Sequence, residues 1–450
     1  MRITKKQLAV ITFLNVVIAA LLCYIFLVPW VETTFFAQSD KSGGDNSQTV
    51  DTPPEPEKHE KLRAASVGKV PAVVRETRLM GNGDESVVSA FFIDGVTYVF
   101  GNATVAGLDF DGYGGFLCMA DEKGAITNFT YYAGRMTAAA LTESGFAVAT
   151  LADAGTEKAQ AHLYVTGLDG KNIDDTVVPY EVIDIFPLGA SGAATVFRPD
   201  EHSFMLAEYA LSSADGEGGW RQGKSTYISS GYTLEYFDCY VTGEGYTIAA
   251  RAHSLPRYDS LVFFSFEAGG DATTRFYGGS GDSAMRPYAV MPCPQGYLAL
   301  CRREGGAAVV TVDYTFMKYK RDLLGFAFDS AELYCRGDSY YACFACADRP
   351  VTYVINGTLD REIFSAADGM YVCGTASGAQ NTPVIFGRNA HLFKAVTGGD
   401  AISLDVEGVR FHGGVATADG MLAVISATGG AALSTPTGRD VYIVVIKKTN

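Results

Sequence analysis

From Val70 to Lys448 the chain alternates short apolar runs with polar turns that carry glycine. Leu261-Val262-Phe263-Phe264-Ser265-Phe266 and Val441-Tyr442-Ile443-Val444-Val445-Ile446 are rich in β-branched and aromatic residues and bounded by turn residues, the pattern of buried strands. No stretch of this region has a 3.6-residue apolar period of helical length, so the expected class is all-β. Within it a weak motif recurs: a short strand, a polar turn with Gly, an aromatic or aliphatic residue directly after that Gly, then a third and a fourth strand. The copies are anchored at Gly95, Gly145, Gly192, Gly245, Gly296, Ser339, Gly369 and Gly420. From 95 to 420 is 325 residues over seven intervals, about 46 per repeat, the period of four-stranded propeller blades. Eight anchors predict an eight-bladed β-propeller. The interval from Ser339 to Gly369 is only 30 residues, which leaves seven blades as the alternative.

The ends of the repeat region predict how the ring shuts. Val73-Val74-Arg75-Glu76-Thr77-Arg78-Leu79 reads as a fourth strand but precedes the first repeat, whereas the last repeat offers no fourth strand of its own. An N-terminal strand that completes the last blade removes the open sheet edges that a linear stack would leave.

The start of the chain differs. Leu8 to Trp30 is 23 residues in which only Thr12 and Asn15 are polar, roughly 35 Å of helix and enough for a hydrocarbon core of about 30 Å. Arg2, Lys5 and Lys6 precede the run and Glu32 follows it, so the positive-inside rule keeps the N-terminus in the cytoplasm and exports the rest. The run exceeds a signal-peptide apolar region, and Phe35-Phe36-Ala37 does not make a small-x-small cleavage site. A buried core helix would show a polar face, which is missing. From 32 to 68 the composition turns to Ser, Asp, Gly, Pro, Glu and Lys, too polar to order itself, and reads as a stalk. The expected organisation is a cytoplasmic tail at 1–6, a single-pass anchor in the cytoplasmic membrane at 7–31, a disordered stalk at 32–68 and an extracytoplasmic propeller at 69–450.

Composition narrows the partners. The 450 residues are 48% hydrophobic, and 35 Lys plus Arg against 50 Asp plus Glu give a net charge of −15, which argues against nucleic acid. Two segments, 73–99 and 275–300, resemble the extracytoplasmic β-propeller repeats of bacterial surface proteins, with RFYGGSGDSAMRPYAVMPCPQGYLAL the clearer copy. That resemblance implies the fold and a bacterial cell surface, and little about function.

Catalytic signatures are sparse. The six His show no metal-ligand spacing and G-x-S-x-G is absent, and no catalytic residue, metal or cofactor is expected. Cys343-Phe344-Ala345-Cys346 matches C-x-x-C on a strand, where residues three apart face opposite ways. It and most other Cys sit in apolar runs and read as reduced core thiols, with one or two cross-strand disulfides as the alternative. Asp109-Phe110-Asp111-Gly112 and Asp169-Gly170-Lys171-Asn172 read as turns rather than calcium loops.

Polar material clusters at loops that open on one face of a propeller: Arg251, Arg257 and Tyr258 in one, Arg302 and Arg303 in another, Asp282 and Arg286 in a third. Cations there would meet an acidic peptide or a charged glycan, unless neighbouring acids neutralise them. Trp220, in a glycine-rich insertion, is either an exposed contact residue or folded over its blade. These readings lead to the expectation of a membrane-tethered, non-enzymatic scaffold that binds a protein or glycan ligand. The alternatives are a glycan hydrolase or lyase using Asp259, Asp282 and Glu304, and a subunit of an envelope assembly. The anchor reading has a direct test: Val17→Asp with Leu21→Asp, each costing about 3 kcal/mol at a helix centre, should move the chain from a carbonate-resistant membrane pellet to the supernatant.

Overall fold

A computed structural model describes residues 73–447, apart from connecting segments of which the longest are 105–112, 213–218, 363–370 and 429–438, and for 351–405 only the course of the strands. The expected anchor and stalk lie outside the described residues. Among those described, no helix is long and apolar enough to cross a membrane.

The described strands form eight four-stranded antiparallel sheets. Seven are consecutive: blade 1 spans 85–132, blade 2 135–178, blade 3 181–229, blade 4 233–280, blade 5 286–324, blade 6 330–362 and blade 7 371–405. Blade 8 takes three strands from 410–447 and its outer strand from Val73–Leu79, which pairs antiparallel with Asp440–Lys447, as the sequence predicts. Consecutive blades touch around the ring, and the inner strand of blade 8, Arg410–Thr417, meets that of blade 1, Glu85–Ile93, so the chain is a closed β-propeller.

Burial explains the anchor motif. The second strands are buried along most of their length, as in Gly145–Ala152 and Gly296–Arg303, whereas outer strands such as Tyr319–Leu324 are largely exposed. The aromatic residue after the anchor glycine drops into a seam: Phe146, Tyr246 and Tyr297 are all buried. At Gly145 and Gly296 φ is 145° and 144°, and a Cβ would run into the third strand's carbonyls at Thr166 and Val312. Only glycine allows the backbone that close at that φ.

The seams are apolar clusters shared by neighbouring sheets. Ala194, Val196 and Leu206 of blade 3 pack against Ile248, Val262 and Phe264 of blade 4. At the ring's closure, Leu79, Leu422 and Ile443 of blade 8 pack against Val99, Phe116 and Cys118 of blade 1. A second device adds direction. At the seventh residue of the second strand, Asn102 donates to the Met136 carbonyl at 2.9 Å and accepts the Met136 N–H at 2.6 Å, tying blade 1 to blade 2. Arg198 at the same position donates to the Leu234 carbonyl at 3.4 Å, and Arg302 to the Phe328 carbonyl.

The inner strands of seven blades share a register shift at one level, between Val87 and Ser89, Met136 and Ala138, Val182 and Asp184, Tyr236 and Asp238, Pro287 and Ala289, Val372 and Gly374, and Phe411 and Gly413. A bulge there adds local twist where the strands crowd toward the axis.

Closure through Val73–Leu79 yields a stability test. Leu79→Ala should lower unfolding free energy in urea by about 2–4 kcal/mol, because Leu79 is buried in the closing seam, while Leu323→Ala on the exposed edge of blade 5 should change it by about 0.5 kcal/mol or less.

Candidate functional site

The loop residues singled out from sequence meet structural partners. Arg251 is only 13% exposed and lies between two carboxylates, with Nε 2.5 Å from Asp259 and Nη1 2.9 Å from Glu235. Arg302 stacks over the rings of Tyr288 and Phe328 as well as donating to the Phe328 carbonyl. Its register partner Arg286 is exposed and also sits over Tyr288, 5.2 Å from the ring centre. Tyr258 stacks on Tyr232 with ring centres 4.2 Å apart. Arg303 and Glu304 follow at the end of the second strand of blade 5, and both already have interaction partners. Asp282 lies in a single 3-10 turn, Gly281–Ser283, and Arg257 lies outside the described residues. The structure therefore brings Arg286 and Arg302 together around one ring, uses Arg302 to tie blade 5 to Phe328, and commits Arg251 to partners within its own blade.

Trp220 is 7% exposed and packed between blades 2 and 3 with Val178, Val182 and Tyr209. It is the folded-back arrangement, not the exposed contact residue, because its ring fills the seam. Asp169 caps its own turn, accepting the Lys171 N–H at 3.1 Å, as an ordinary turn aspartate does; the 109–112 segment lies outside the described residues. Cys118, Cys239 and Cys301 are buried free thiols, and burial pushes the Cys118 thiol up to about 12. Among the described residues no three His, Cys, Asp or Glu side chains converge as a metal site.

The inner strands carry a site that the loop reading missed. Asp184 in blade 3 and Asp238 in blade 4 each pair with the fifth residue of the following strand, directly after the bulge. Glu332 holds the same level in blade 6, and Ser89, Ala138, Ala289, Gly374 and Gly413 hold it in the others. Asp184 and Asp238, on adjacent inner strands, form an acidic arc at this level, and Glu332 lies two blades further on.

Each aspartate folds back on its own backbone: Asp184 Oδ1 accepts the Ile185 N–H and Asp238 Oδ1 the Cys239 N–H, both at 2.8 Å. Across the seam Tyr236 donates its hydroxyl to Asp184 Oδ2 at 2.6 Å, and Tyr240 donates to the Val290 carbonyl of blade 5 at 2.9 Å. Burial raises the Asp184 carboxyl above its ordinary value, against the pull of the Tyr236 and Ile185 hydrogen bonds. Burial and then the Asp184 charge push Asp238 up to about 6. Among the described residues neither aspartate forms an ion pair with a Lys or Arg. The arc is thus a half-buried pair of coupled carboxyls, suited to holding a cation or exchanging a proton near neutral pH. Its trace in the sequence is an acid inside an apolar inner strand, VIDIF and YFDCY, at the same offset in consecutive repeats.

No family model matches the chain, and no curated protein matches it. Solved structures do. The chain is similar to the β-propeller domain of the trilobed protease from Pyrococcus furiosus, at 9% identity and a TM-score of 0.40, over 71% of this chain and 97% of that one. It is similar to Pyrococcus horikoshii acylaminoacyl peptidase, at 9% identity and a TM-score of 0.42, over 76% of this chain and 57% of that one. For prolyl oligopeptidase B from Galerina marginata the values are 9% and 0.41, over 70% of this chain and 48% of that one. The chain spans about half the length of these last two enzymes.

The sheet layout itself shows the fold: among the described residues this is an all-β propeller of four-stranded blades. The expected non-enzymatic scaffold and its glycan hydrolase or lyase alternative stand against these comparisons, in which the similar rings are those of peptidases, and are not carried further.

The raised Asp238 pKa has a pH consequence. An unfolded Asp titrates near 3.9, so the fold binds the extra proton between about pH 4 and 6, and the site's stabilising contribution is lost as pH rises through 6. Asp238→Asn should therefore be more stable than wild type at pH 8, by about 1–3 kcal/mol, with the difference fading by pH 4 in urea titrations at each pH.

Proposed function

We propose that this ring is the substrate-handling propeller of a peptidase, and that its acidic arc holds the ammonium or guanidinium group of a basic residue in an extended polypeptide. The observation that carries the reading is the Asp184 and Asp238 pair. Two carboxyls on adjacent inner strands repel each other and are desolvated, and among the described residues no Lys or Arg pairs with them. A bound cation offsets both costs at once, whereas a neutral or anionic group offsets neither. The net charge of −15 favours approach of the same ligands at a distance. Peptide-bond cleavage, in this reading, belongs to catalytic groups outside the ring, and the ring selects and holds the chain to be cut. We place the ring outside the cytoplasm, tethered by the apolar run from Leu8 to Trp30, a proposal supported by the length of that run and by the cations before it.

The test uses the full-length chain and a fluorescent alanine-rich peptide with one central lysine, beside its norleucine analogue. The lysine peptide should bind at least about tenfold tighter, with an affinity that falls as salt rises. Asp184→Asn with Asp238→Asn should erase that preference. Equal binding of the two peptides, or an unchanged preference in the variant, would sink the reading.

A further inference from the structure

A second site lies further along the strands, in the seam between blades 4 and 5. There Val241, Thr242, Thr247, Ser265, Tyr297 and Tyr314 line a cavity of about 340 Å³. Thr242 ends the inner strand of blade 4, Thr247 and Ser265 come from its second and third strands, and Tyr297 and Tyr314 belong to blade 5. Five of the six carry hydroxyls and none carries a charge.

The hydroxyl of Tyr297 makes this more than a crevice. Tyr297 is only 1% exposed, its ring wedged among Tyr240, Phe263 and Phe316, yet its Oη makes no hydrogen bond of ordinary geometry, with the Thr247 side chain the neighbouring group. A buried hydroxyl without a well-formed hydrogen bond is costly, and here it borders the cavity. Tyr314 stands half exposed beside it, ring centres 5.3 Å apart, fixed by its own hydrogen bond to the Cys293 carbonyl at 2.6 Å.

We propose that this seam pocket binds one uncharged sugar ring. The absence of charge in the lining disfavours ionic ligands, which would lose hydration with nothing to offset it. Hydroxyls both donate and accept, and so match adjacent hydroxyls on a ring that also donates and accepts. Tyrosine provides a flat apolar surface with a polar tip, which suits a ligand with an apolar face and a polar rim. The volume falls at the lower end for small-molecule sites, room for one ring or two. The bound sugar would give the Tyr297 hydroxyl a well-formed hydrogen bond. Tyr240 links this site to Asp238, but the sugar proposal does not depend on the peptide reading.

The experiment is titration calorimetry on the full-length chain, in a detergent without a sugar headgroup, against the methyl glycosides of glucose, galactose, mannose and N-acetylglucosamine. N-acetylglutamine amide serves as the probe of a peptide-like ligand. At least one glycoside should bind saturably, and Tyr297→Phe should weaken it tenfold or more. The same variant without ligand should melt at the wild-type temperature or above, because it loses a hydroxyl that made no well-formed hydrogen bond. Thr242→Val, at a half-buried position, should also weaken binding while leaving the melting temperature close to wild type. The proposal is overturned if no glycoside binds saturably, if Tyr297→Phe binds as wild type does, or if only the amide probe binds.

Discussion

Every part of this molecule depends on burying two sheet faces against each other at each seam. A four-stranded antiparallel sheet of about 40 residues cannot cover both of its own faces, so a blade is stable only between neighbours. In a linear stack the terminal sheets would stay uncovered. Here the last blade is completed by the strand that begins the ring, and Leu79, Leu422 and Ile443 meet Val99 and Phe116 across the joint. The bulged inner strands and the bare anchor glycines follow from that demand: the first supply twist near the axis, the second let neighbouring backbones close up.

The same demand decides the fate of the polar side chains. At the seventh position of the second strand, Asn102, Arg198 and Arg302 reach across a seam to a carbonyl in or just before the next inner strand, so that a polar residue at a strand end serves as a tie. Arg251, at the equivalent place in blade 4, is held by Glu235 and Asp259 instead. Read along the chain, Arg251 and Arg302 look like part of a cationic loop cluster. In the fold they are held by partners that lie 8 to 26 residues away. The groups left chemically poised are the ones the seams crowd without neutralising: Asp184 and Asp238 on the inner strands, and the Tyr297 hydroxyl further along the strands.

Much of the fold was legible in advance because it rests on a period. The anchor glycines, the aromatic residues after them and the four-strand spacing repeat, and the displaced strand at Val73–Leu79 is visible as a fourth strand without a blade. The site was less legible. Asp184 and Asp238 sit in apolar strands where a charge is conspicuous, yet nothing in the chain says that both fall on one level of adjacent blades. Trp220 shows the converse: a glycine-rich setting reads as an exposed loop, but the residue enters the outer strand Gly219–Ser229 and fills a seam.

The sequence by itself determined that the chain is all-β, that it is built from four-stranded repeats and that its first strand belongs to its last blade, because alternation and glycine turns are local properties that survive without tertiary contacts. Tertiary structure alone decided which arginines are ties, which acids share a level and which hydroxyl is left without a well-formed hydrogen bond. Those are relations between neighbouring blades whose strands lie some 50 residues apart, and they exist only once the seams have formed.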